Sequence, residues 1–169
     1  LSSRGKNLMI ELNLNNRNGS LRVTSKEVKD ILGLRPDFEL VQDISNSINQ
    51  EDIMAFDCKL AEDVFATEDI EELLEEMGEN LDKSYFDVIF EDVRVYLKDA
   101  TDEIEAELQE RYLVDNIRCF FDVYNIDESF TDFKFVFVVS FKDIKIASLT
   151  NLANIVGKRQ LIGASKYYS

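Results

Sequence analysis

The residues best placed by type and spacing to do chemistry are Asp57, Cys58 and Lys59, which follow the apolar run Ile53–Phe56 and have Asp43 and Asp52 upstream. Metal-dependent nucleases set two carboxylates on a divalent cation and a lysine beside the attacking water, and an Asp-x-Lys triplet is how such a site reads in sequence. The signal is short. It recurs at Asp132-Phe133-Lys134, and with 31% of residues charged such triplets arise by chance. A nuclease also needs positive surface for its substrate.

Other chemistries have less to start from. The 169 residues contain no histidine, so there is no base poised near neutral pH, no Ser-His-Asp or Cys-His nucleophile and no imidazole for a zinc site. Cys58 and Cys119 lack C-x-x-C spacing and are expected as buried, reduced thiols. None of the six glycines forms a phosphate-cradling motif. The carboxylates of Asp122–Phe130 lack EF-hand alternation. The expectation is a non-enzyme with no catalytic, cofactor-binding or metal-binding residues.

Charge is sorted along the chain. Residues 37–147 hold 31 of the 34 acidic residues and 9 of the 19 basic ones, whereas the first 36 and the last 22 residues are net basic within a total of −15. An acidic body does not suit direct contact with phosphates. Two basic ends on such a body suit contact with acidic protein surface, on this chain or on a neighbour. The favoured expectation is a structural or assembly protein whose basic arms contact neighbouring subunits. Richness in Asn, Ile, Lys and Phe points to an AT-rich genome and makes a phage virion a candidate setting. The alternative is an acidic inhibitor that imitates nucleic acid and fills the basic groove of a nucleic-acid-binding protein. Expected partners are therefore proteins, with self-association or a larger assembly foremost. No membrane contact is expected, because Leu1–Asn7 lacks a signal-peptide core and Phe135–Val139, the longest apolar stretch, is far short of the ~20 residues of a span. A cytoplasmic or virion location follows.

Hydrophobic content of 45% with 12 Phe and 6 Tyr suffices for one core. The pattern predicts a single α+β domain over residues 8–147, mainly antiparallel sheet packed by two or three amphipathic helices. A flexible basic segment precedes it (1–7) and a basic arm follows (148–169). Met9–Leu14 alternates as a strand and turns at Asn18-Gly19 into a partner, Ser20–Val23. Thr24 to Glu27 is a capping box opening a short helix that ends at Gly33. Phe38–Ile44 reads as a strand, and Ile53–Leu60 as strand or helix. Ile70, Leu73, Leu74 and Met77 place a helix over 67–78 with glutamates on its solvated face. Residues 85–98 fit both periods, but their Val, Ile, Tyr and Phe content favours a strand, with a helix capped by Thr101 or Asp102 beginning after it.

The strongest β signal is a long hairpin over residues 117–146. Phe133, Phe135, Phe137, Val139 and Phe141 share one face and Val136 and Val138 the other, the pattern of a strand covered on both sides. Beyond it the arm carries the expected partner-binding residues: Leu149, Leu152, Ile155, Val156, Lys158, Arg159, Lys166, Tyr167 and Tyr168. Its aliphatics would hold a neighbour while its cations steer.

Overall fold

The computed structural model describes residues 9–48, 50–61, 64, 75, 83–126 and 133–168. In chain order the elements are β1 (Glu11–Asn16), β2 (Gly19–Thr24), α1 (Ser25–Gly33), β3 (Phe38–Asp43), β4 (Ile53–Leu60), α2 (Lys83–Tyr112), β5 (Arg118–Ile126), β6 (Phe133–Ser140) and α3 (Ile146–Tyr168). Strands β1 and β2 form a two-stranded sheet, and the other four an antiparallel sheet in the order β3-β4-β6-β5. The chain is a mixed α+β protein in a single domain, as the pattern implied. The predicted segment 1–7 and the tip joining β5 to β6 lie outside the described residues. Of the predicted helix over 67–78, Glu75 alone is described, and it is helical and exposed.

Local signals account for the first third of the fold. The two-residue turn after Asn16 closes at Gly19, whose φ of +116° is a conformation that costs a side chain dearly. Thr24 then caps α1 reciprocally: its hydroxyl accepts from the Glu27 amide while the Glu27 carboxylate accepts from the Thr24 amide. Ser25, fully buried in the first turn, accepts from the Ile10 amide and donates to Asp43, tying the small sheet to β3.

Period-two alternation builds the main sheet. Register places Phe56, Phe137 and Phe121 side by side across β4, β6 and β5. They share a core with Phe133, Phe135 and Val139, with Val28, Ile31 and Leu32 of α1, and with Ile89, Val93, Leu97, Ile104 and Leu108 of α2. The reverse face presents Ile53, Ala55, Val136 and Val138 to Leu149, Ala153 and Val156 of α3. Strand β6 therefore lies between two strands and between two helical layers.

Three expectations change. Residues 85–98 belong to the long helix α2: Ile89, Val93 and Leu97 recur every four residues and are all buried, so packing overrides the β-leaning composition. Thr101 is buried in mid-helix and caps nothing. Strand β6 ends at Ser140, whose hydroxyl accepts from the Lys142 amide and donates to the Lys142 carbonyl, taking up backbone groups that a continuing strand would have paired.

Candidate interaction surface

The Asp-x-Lys triplet lies on β4 in extended backbone, so its side chains alternate. Asp57 and Lys59 face the α3 side, while Cys58 is buried on the α2 side. Asp57 accepts from Tyr124 Oη and Gln160 Nε2, each at 2.7 Å, and Lys59 pairs with Glu39 at 3.2 Å. Asp43 stands opposite Phe56 in register, so it projects from the other face of the sheet and bonds Ser25 and Ser45. The two carboxylates that a cation would bridge are thus held apart by the pleat. Among the described residues, no group of three or more His, Cys, Asp or Glu side chains comes together as a metal site. Burial raises the Cys58 and Cys119 thiols well above their ordinary range, so both stay protonated.

A second ionic cluster joins the α1–β3 connection to α2. Arg35 grips Asp37 through Nε and Nη2 at 3.2 and 3.1 Å and reaches Glu103 at 3.5 Å, while Tyr96 Oη donates to Asp37 at 2.5 Å. Burial alone would raise the Asp37 carboxyl, but bonds from Tyr96 and Arg35 outweigh it and hold it below the usual carboxylate range. Burial and the facing Asp37 push Tyr96 up to about 12. Every strong partner in this cluster is engaged by another, so it acts as a clasp between elements.

The surface with unspent capacity is the outside of α3. Its inner stripe is fixed three ways. Leu149, Ala153 and Val156 are buried on the sheet, and Gln160 holds Asp57. Gly157 packs against Asp122 of β5, with no room for a Cβ beside that carboxylate. Burial raises the Asp122 carboxyl, and the positive fields of Arg94 and Lys158 draw it partly back. The opposite stripe, at 100° per residue, carries Ile155 and Ile162, which are 45% and 67% exposed, with Lys158 and Arg159 exposed between them. Neither cation forms an ion pair with another described residue.

This arrangement divides the residues expected to bind a partner. Leu149 and Val156 are buried in this chain's own core, and Leu152 packs against it half-buried, because the apolar patch on the reverse of the sheet matches their helical spacing. These three are therefore not free for a neighbour while α3 is docked. Ile155, Lys158 and Arg159 do face outward. Lys166, Tyr167 and Tyr168 occupy the last helical turn, and their side chains lie outside those described. Ile162, 67% exposed, belongs with the outward set by exposure and spacing.

Across the sheet, α2 presents the opposite sign. Its buried stripe leaves Glu91, Asp92, Val95, Lys98, Asp99 and Asp102 outward, with Val95 53% exposed among the acids and Lys98 paired to Asp102 at 3.1 Å. The helix holds nine carboxylates against four cations, whereas α3 holds three cations and no acid. Comparison with known proteins returns no match among family models, curated proteins or solved structures. None of the described helices is long and apolar enough to cross a membrane.

Proposed function

We propose that this chain is a non-catalytic assembly protein whose C-terminal basic helix contacts neighbouring protein subunits. The observation that carries this reading is the outward stripe of α3. Its two exposed isoleucines flank Lys158 and Arg159, neither in a close ion pair with a described acid although Lys158 acts on Asp122 through space, in a chain that is strongly acidic as a whole. A helix already anchored by its inner face gains little from that stripe in isolation, and apolar side chains left in water favour burial at about 25 cal/mol per Å². Anchoring also helps the contact form. The stripe is presented on a rigid helix, so little ordering entropy is lost on docking.

The experiment is light scattering over rising protein concentration, at low salt and at about 0.5 M. Mass above the 19.5 kDa monomer at low salt supports self-assembly. Loss of that mass at high salt, where the Debye length falls to a few Å, identifies the charges as the steering element. A monomer under every condition excludes self-assembly.

A further inference from the structure

The reading above leaves open which surface receives α3. We infer that the receiver is the outer face of α2 on a second copy of this chain, so that copies join head to tail. The inference rests on the assembly reading and adds the contact to it.

Complementarity is the first ground. The α3 stripe places Ile155 and Ile162 among Lys158 and Arg159, and the α2 stripe places Val95 among Glu91, Asp92, Asp99 and Asp102, with Lys98 the one cation there, paired to Asp102 at 3.1 Å. Both stripes combine exposed apolar side chains with a single dominant sign, and the signs are opposite. Geometry is the second ground. Because α2 and α3 cover opposite faces of one sheet, their outer stripes point away from each other. A pair of molecules can therefore join one α3 to one α2 but cannot close the reciprocal contact. Such a heterologous contact leaves an unused α2 stripe at one end and an unused α3 stripe at the other, so it propagates into a row or ring.

The size of the contact sets its strength. At roughly 1.5 Å per residue, the 23 residues of α3 span about 35 Å, and a helix is about 10 Å wide. The covered strip is then well under the ~800 Å² per partner of a standard interface. Joining is accordingly weak, concentration-dependent and sensitive to salt.

Charge reversal in two chains tests this. In the first, Lys158→Glu and Arg159→Glu make both outer stripes acidic. In the second, Asp92→Lys and Asp99→Lys shift α2 toward basic while α3 stays basic. All four positions are exposed, and circular dichroism checks that each chain folds. Sedimentation velocity at low salt should find each variant monomeric alone and the equimolar mixture larger than a monomer. If either variant assembles alone as the native chain does, the contact is wrong. If the native chain assembles but the mixture does not, the contact is wrong and the assembly reading survives. A native chain that is monomeric throughout removes the assembly reading as well. Should a reversed chain fail to fold, Ile162→Ser in the native background serves instead. At least a threefold rise in the concentration needed for assembly supports the contact, and an unchanged concentration overturns it.

Discussion

Substituting Gly157 by alanine tests how α3 is seated. In an ordinary helix interior the change stabilises by about 1 kcal/mol, because glycine surrenders more backbone entropy on folding. Here the new Cβ would overlap a carboxylate oxygen of Asp122 and lie 3.4 Å from its Cγ and 3.5 Å from Tyr124 Cβ. The Tyr124 approach is ordinary contact, so the conflict is with Asp122 alone. Relieving it means turning a half-buried carboxylate or lifting the helix, and overpacking of this kind costs about 1–3 kcal/mol. The net expectation for Gly157→Ala is a loss of up to about 2 kcal/mol. In an Asp122→Ala background the conflict is gone, and the same change should stabilise by up to about 1 kcal/mol. Urea unfolding of the four chains, followed by far-UV circular dichroism because the chain lacks tryptophan, closes the cycle. The coupling should be about 1–3 kcal/mol. The acid side supplies a check of sign. Since burial raises the Asp122 carboxyl, the folded state binds that proton more tightly than the unfolded state. The unfavourable contribution of Asp122 is therefore present above its folded pKa and relieved as pH falls through it, a gain that Asp122→Ala removes. Equal stabilisation by Gly157→Ala in both backgrounds would refute the seating described here.

Further expectations follow from the same packing. Phe137→Ala, in the middle of the phenylalanine row, should destabilise by about 3–5 kcal/mol, whereas Glu75→Ala at an exposed position should change stability by under about 0.5 kcal/mol, and comparable effects in urea unfolding would mean the faces are misassigned. Tyr96 is raised to about 12, so its contribution is complete below about pH 10 and lost as pH rises toward 12; Tyr96→Phe should flatten that part of an alkaline denaturation profile, and an unchanged profile would contradict the clasp with Asp37. Incubation with single- and double-stranded DNA and RNA plus Mg²⁺ or Mn²⁺ should show no cleavage. Cleavage abolished by Asp57→Ala and Lys59→Ala would restore the hydrolase reading.

What could be read in advance followed how locally each element is determined. The capping box of Thr24 and Glu27 is complete within four residues, and the alternation from Phe133 to Phe141 states both faces of β6 without reference to anything else. Residues 85–98 were illegible because Val93, Val95 and Leu97 suit a strand while Ile89, Val93 and Leu97 suit a helix. The choice belongs to the core, which offers a helix-shaped seat over Phe56, Phe121 and Phe137. The aliphatics of the arm stand out in the sequence, but their seat is assembled from residues about a hundred positions away, at Ile53 and Ala55. Spacing therefore could not separate Leu149 and Val156, which serve the fold, from Ile155 and Ile162, which face water. Nothing in periodicity announces the Gly157–Asp122 approach either, since it exists only once α3 crosses β5.

The central claim, that the basic outer stripe of α3 meets the acidic outer stripe of α2 on another copy, is tested most directly by zero-length amine–carboxylate cross-linking of a mixture of unlabelled and ¹⁵N-labelled chain. Peptides of mixed isotope report contacts between molecules. The account predicts mixed-isotope links from Lys158 to the outward carboxylates of α2, among them Asp92, Asp99 and Asp102, that vanish at about 0.5 M salt. Mixed-isotope links that leave Lys158 or α2 out, or links found only within single molecules at concentrations where the chain is larger than a monomer, would contradict it.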